Sequence, residues 1–321
     1  MRGSRGLLLA ASLALLPGAV SAAPYTVITY NLGLLEVFGS DFVPAVNART
    51  LAAPAALSAL ASTMNPRLIL LEEVWADAAA DSISRALSAL GYAAVRPNVH
   101  TAIGLTSGLL LLVKAPLRVD EWKFTPFSRT TFVDSFARKG VLEAVIEDPA
   151  DGTRVALVAT HTVAVDTDGG RPKDRSQLDA ILAQADQVRA AVSSRSSGGA
   201  LPVVLLGDFN VGPGYVDEAW RRLIGLEGLR EATGTGPAPR VTWDPANPLV
   251  RYGGYPREPA AWIDHVLVMD GGGKVWTTRS VQVLMQEPIG GLSFTPRGGA
   301  PVHIPLSDHY ALAAELELSA E

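Results

Sequence analysis

Polar residues collect where apolar runs stop in this 321-residue chain, and their types suit one kind of chemistry. Glu73 follows the run Arg67 to Leu71 (RLILL) with no Lys or Arg close behind it. Buried, such a carboxylate needs a cation as partner; on an exposed loop, water serves. Asp208 and Asn210 stand two positions apart in Gly207-Asp208-Phe209-Asn210, after an apolar run that begins at Leu201. They can face the same way as oxygen donors, and the same tetrapeptide also fits an Asx turn that caps backbone N–H groups. His161 closes the run Arg154 to Thr160, Asp264 interrupts the apolar stretch Trp262 to Met269, and Asp308-His309 opens the last such stretch. A buried Asp264 needs a partner such as an imidazole N–H.

The chain has no Cys, which removes disulfides, thiolate metal sites and a cysteine nucleophile. Oxygen donors with two or three His argue for Mg²⁺, with Mn²⁺ or Co²⁺ as substitutes, over structural zinc. An oxygen-held cation with a His base suits phosphoryl chemistry. The ion offsets charge on the non-bridging oxygens while the base deprotonates an attacking water. His-Glu-x-x-His, Gly-x-Ser-x-Gly and P-loop segments are absent, so serine-hydrolase and nucleotide-hydrolysis readings lack support.

The elements that must position these residues alternate between strands and helices. Strands are expected at Tyr25 to Tyr30, Arg67 to Leu71, Gly108 to Val113, Gly140 to Ile146, Arg154 to Thr160 and Leu201 to Leu206. Three more are expected at Trp262 to Met269, Val275 to Met285 and His309 to Leu318. Helical spacing of apolar residues runs from Thr50 to Met64, where Pro54 delays or kinks the helix, from Asp77 to Leu90, and from Lys173 to Ser194. The pattern predicts sheets covered by helices, α/β or α+β.

Apolar residues make up 48% and charged residues 18%, which excludes a disordered or coiled-coil chain. Arg2 and Arg5, the apolar run Leu7 to Leu16 and the small residues of Val20-Ser21-Ala22 have the parts of a secretory signal peptide, 1–22. The expectation is a soluble exported protein whose remaining residues, 23–321, form one domain. Without Arg2 and Arg5 the 27 basic residues become 25, against 32 acids, for a charge of −7. No broad basic surface for gripping phosphate backbones is implied.

Asn31, Glu73, Thr160-His161, Gly207-Asp208-Phe209-Asn210, Asp264 and Ser307-Asp308-His309 occur in the order seen in the endonuclease/exonuclease/phosphatase superfamily, which the chain resembles from Tyr25 onward. The resemblance implies a four-layer α/β/β/α sandwich like that of DNase I, with the site at one edge of the paired sheets. It implies Glu73 as principal Mg²⁺ ligand, Asn31 close to metal and phosphate, and Asp208 and Asn210 holding the attacking water and phosphate. Asp308 would assist at the metal, and His309 would be the base, oriented by Asp264. His161 would face the leaving group as an acid or a phosphate donor.

Within the superfamily three segments resemble bacterial neutral sphingomyelinases. Asp134-Ser-Phe-Ala-Arg-Lys139-Gly140 matches an Asp-x₄-Lys-Gly segment whose Lys contacts the phosphate region and whose Asp sets the active arrangement. Thr160-His161-Thr162-Val163-Ala164 and Ser107-Gly108-Leu109 match the corresponding segments there. This implies a monomer that hydrolyses sphingomyelin at a membrane surface, with no stable protein partner; nucleic acid is the alternative substrate. The chain departs from the pattern in three ways. It lacks a clear Trp-Phe hairpin tip, with Trp276 and Phe294 as candidates and Trp276 reading better as core. It lacks the Cys pair of some relatives, and it carries Glu72 where many have an amide.

Overall fold

The computed structural model describes residues 24–131, 133–196, 200–234, 240–253 and 258–321. The expected signal peptide lies outside the described residues. Two six-stranded sheets face each other. In chain order their strands are β1 (Tyr25–Asn31), β2 (Leu68–Glu72), β3 (Tyr92–Val95), β4 (Leu110–Lys114), β5 (Arg118–Pro126), β6 (Gly140–Asp148) and β7 (Thr153–His161). There follow β8 (Val203–Asp208), β9 (Arg230–Glu231), β10 (Asp264–Met269), β11 (Lys274–Leu284) and β12 (Ala311–Ala320). One sheet runs β11-β12-β1-β2-β4-β3 and the other β9-β10-β8-β7-β6-β5.

Three apolar layers hold the sandwich together, and the period of two along each strand decides which residue enters which layer. Between the sheets lie Val27, Leu68, Leu70, Leu157, Val204, Leu206 and Val266. Behind the first sheet Ile28, Ile69 and Leu71 meet α1 (Val46–Met64) and α2 (Asp77–Ser88). Behind the second, Val158, Val203 and Leu205 meet α3 (Arg175–Ser196) and α4 (Asp217–Ile224). The expected α/β/β/α layering is therefore present. No helix of the described residues is long and apolar enough to cross a membrane.

The structure corrects four expectations at their edges. The last strand starts at Ala311, not His309, because the chain before it pairs elsewhere: Tyr310 N–H donates to Thr242 O, and His309 bridges Trp243. Strand β10 starts at Asp264, since Ala261 pairs with Trp243 and Ile263 O accepts from Phe209 N–H. Strand β5 was not expected at all. It is a mostly exposed edge strand, and a bulge between Val119 and Glu121 breaks its alternation. Helix α1 begins at Val46, and Pro54 sits inside it rather than at its start. Trp276 is core, 3% exposed and edge-on to Tyr25.

Candidate active site

Five strands end their inward-facing rows on a polar residue at the same edge of the sandwich. Val27 leads by alternation through Thr29 to Asn31, and Leu68 and Leu70 to Glu72. Leu157 and Ala159 lead to His161, Leu206 to Asp208, and Val266, on the antiparallel β10, to Asp264. All five polar residues are 1% exposed or less. The site is thus the polar end of the inter-sheet core.

Loops just past the strands complete it. Glu73 and Asn210 both take left-handed backbone conformations, φ 56° and 51°. Each costs about 1 kcal/mol for a residue with a Cβ, a cost typical of functional turns. The turn at Glu73 breaks the strand alternation after Glu72. At Asp208 both readings of the tetrapeptide hold at once: Oδ1 accepts from Asn210 N–H at 2.9 Å, while Oδ2 accepts from Asn31 Nδ2 at 2.8 Å. Asn31 Nδ2 also donates to Glu73 Oε1 at 3.1 Å, and Trp75 Nε1 to Glu73 Oε2 at 3.3 Å. Two glycines permit this crowding. A Cβ on Gly207 would meet Thr160 O at 1.9 Å, and one on Gly33 would meet Asp308 Oδ1 at 2.4 Å.

His309 Nδ1 lies 2.9 Å from Asp264 Oδ2, while its Nε2 lies 3.8 Å from Asp208 Oδ2. Opposite it, Lys139 is buried and bridges three groups: Asp134 Oδ1 at 2.6 Å, His161 Nε2 at 3.1 Å and Thr162 O at 2.9 Å. His161 Nε2 also lies 3.5 Å from Asp208 Oδ2 and 3.8 Å from Glu73 Oε1.

The electrostatics follow from burial. Desolvation, then Asp264, pushes Asp208 up to about 7. Desolvation, then Asp308, raises Glu73. Burial, then Lys139, then His309 hold His161 well below the usual imidazole range, so it is neutral and accepts from Lys139. For His309 burial works downward, but Asp264 and then Asp208 outweigh it and hold the ring well above that range.

A divalent cation fits this chemistry. Glu73, Asp208 and Asp308 offer only oxygens, and the repulsion between Glu73 and Asp308 is what a cation would relieve. Asp208, Asp264 and His309 also bring ligand atoms within 4.8 Å of one another. Asp264 Oδ2 is already committed to His309 Nδ1, so that trio reads better as a base and its orienting acid.

Every expected site residue reaches this one place. Glu73, Asp134, Lys139, His161, Asp208, Asn210, Asp308 and His309 line a single cavity of about 400 Å³, with Asn31 and Asp264 hydrogen-bonded to its lining. Three supporting residues were missed. Arg49 is fully buried and donates only to backbone carbonyls: Pro44, Leu32, Leu306, Gly33 and Val43. It ties the loops after Asn31 and before Asp308 to α1. Its signal was a lone basic residue on the apolar face Val46, Ala53, Leu57. His265 lies between Trp220 and Trp262, with Nδ1 3.1 Å from Glu231 Oε2 and Nε2 2.9 Å from Val211 O. Glu72 accepts from Thr29 Oγ1 and is pushed well up by burial and then by Asp264.

The endonuclease/exonuclease/phosphatase family model matches residues 28–309. No curated protein matches the chain. Solved structures match it over nearly its whole length. Beta toxin from Staphylococcus aureus, a doubly substituted mutant with bound magnesium ions, superposes with a TM-score of 0.71 at 15% identity, covering 91% of this chain and 99% of its own. Sphingomyelinase C from Streptomyces griseocarneus gives 0.67 at 21%, covering 92% and 99%. D. rerio TDP2 complexed with single strand DNA product gives 0.67 at 14%, covering 92% and 100%. With its DNase I-like layering and a phosphodiesterase-type site suited to a divalent metal, the chain belongs to the endonuclease/exonuclease/phosphatase family.

Proposed function

We propose that the protein is a secreted Mg²⁺-dependent phosphodiesterase of the sphingomyelinase type, a phospholipase C that releases phosphocholine and leaves ceramide in the bilayer. The observation that carries this reading is the division of the cavity into a polar floor and an apolar wall. Leu35, Val37, Phe42, Leu105 and Phe136 form the wall, and among the described residues Lys139 is the only Lys or Arg lining the cavity. A nuclease draws its affinity from several cations set against phosphates. One buried lysine beside an apolar wall suits a phosphodiester that carries a lipid.

Glu73 and Asp308 would hold Mg²⁺, with Asn31, Asp208 and Asn210 around it and Mn²⁺ or Co²⁺ as substitutes. Bound there, the ion supplies neutralisation of charge on the non-bridging oxygens. His309, fixed by Asp264, takes a proton from the attacking water at Nε2, and Asp208 orients that water. The water oxygen bonds to phosphorus as the bond from phosphorus to the ceramide oxygen breaks. Lys139 meets the developing charge, held in place by Asp134 and neutral His161. The protein acts as a monomer at the membrane surface.

Phosphocholine release from sphingomyelin liposomes tests this, with EDTA and His309→Ala as controls and supercoiled plasmid in parallel. Release that both controls abolish supports the reading. The equal TM-score of 0.67 to TDP2 with its DNA product keeps an endonuclease as the second reading. Plasmid nicking without phosphocholine release would replace the first reading with it.

A further inference from the structure

Between β1 and α1 the chain makes a small hairpin, Glu36–Val37 paired with Ser40–Asp41. Its two turn residues, Phe38 and Gly39, have φ of 52° and 76°. Two positive φ values in a two-residue turn demand the type I′ geometry, which Asn-Gly fills far more comfortably than Phe-Gly. Phe38 is also 87% exposed. The hairpin therefore carries two features that work against folding, a strained aromatic residue and a bare aromatic surface. Strain retained at one spot, next to an active site, points to a use outside the folded core.

The position of the hairpin says what that use is. Phe38 stands at the rim of the catalytic cavity, while its neighbours Val37 and Phe42 belong to the cavity wall. Phe42 is 45% exposed, and Phe136, also in the wall, is 40% exposed. At the base of the hairpin Glu36 and Asp41 pair in register, both exposed, so an acidic ring underlies the apolar tip. A second small hairpin, Ser293–Phe294 with Val302–His303, spends its aromatic residue on an edge-to-face contact with Tyr252 at 5.5 Å.

We infer that the hairpin 36–41 docks on a zwitterionic phosphocholine bilayer, with Phe38 entering the acyl boundary and Glu36 and Asp41 lying among the choline ammonium groups. The inference rests on the lipid-hydrolase reading for the identity of the surface. The acidic base complements ammonium groups and repels a phosphate polyanion, which disfavours nucleic acid as the occupant. Docked there, the rim brings the polar floor of the cavity to the level of the headgroups.

The variant Phe38→Asn tests it, because Asn suits the turn and the change should leave the melting temperature equal or higher. Vesicles of sphingomyelin and phosphatidylcholine are sedimented with the protein in EDTA, so that binding is read without turnover. Phosphocholine release is then compared between vesicles and a short-chain, water-soluble sphingomyelin. The expected result is about a tenfold loss of vesicle partition and vesicle turnover, with short-chain turnover unchanged. Unchanged vesicle binding in Phe38→Asn overturns the inference. So does a parent dimer that the variant dissolves, which would make the hairpin a contact between copies. Phe38-dependent vesicle binding by a parent that hydrolyses neither substrate would leave the bilayer contact standing and remove the lipid-hydrolase reading instead.

Discussion

Asp264 and His309 stand 2.9 Å apart although they come from opposite sheets. Asp264 opens β10 in the second sheet, and His309 lies just before β12 in the first. The pair is therefore a tie across the sandwich as well as a base with its orienting acid. Its catalytic worth can be separated from its worth as a tie.

Asp264→Asn should lower turnover about a thousandfold by misorienting His309 and removing its stabilising charge. His309→Ala should cost a similar factor, and the double variant little more than either single one, since the two act as a unit. Steady-state rates on one substrate check this. Multiplicative losses would show that the residues work independently.

Removing the divalent ion should abolish activity, and restoring Mg²⁺ should recover it. Glu73→Gln should raise the Mg²⁺ needed for half-maximal activity by about tenfold or more, because it takes the charge from an oxygen donor at the cavity floor. The shift in melting temperature on adding Mg²⁺ gives the same answer without turnover, and should shrink in this variant.

Arg49→Lys should lower stability by about 2–3 kcal/mol, because a single ammonium cannot replace a planar fork that reaches several carbonyls. Denaturant unfolding measures it. Gly33→Ala is the complementary probe: its Cβ would push on Asp308, so activity and Mg²⁺ affinity should fall more than stability does.

His265 faces an acceptor at each ring nitrogen, a carboxylate and a carbonyl, so both nitrogens carry protons. Burial works to lower its pKa, but Glu231 and the Val211 carbonyl raise it above its usual value. A group with a raised folded pKa lends stability that is full below about 6.5, its unfolded value, and is lost as pH rises through the folded pKa. The difference in unfolding free energy between the parent and His265→Gln should therefore be largest near pH 6 and shrink toward pH 9. A pH-independent difference would mean that the ring is held neutral.

Much of the site was legible because alternation along a strand is a local property. Asp208 after Leu206, and Asp264 before Val266, announce themselves as polar ends of buried rows. The partner of Asp264 was legible only as a type. An imidazole was required, and His265 adjoins it, yet neighbouring strand residues point to opposite faces, and only closure of the two sheets brings His309 there. Arg49 stayed hidden because a charged residue on a helix reads as solvated until the carbonyls it serves are in place. Strand β5 stayed hidden because its bulge disrupts the period by which strands are recognised. The layering itself was the easiest part, since it needs only the count and order of apolar runs.

Strand β1 is paired on one side with β2 and on the other with β12, near the far end of the chain. During synthesis the first strand emerges long before that partner exists, with Asn31 already at its tip and one edge of its backbone unsatisfied. Asp308, His309 and the closing strand arrive last. The protein therefore cannot act while it is still being made, and fragments that lack the closing strand should be inert. Completion of the chain is itself the event that turns on the chemistry.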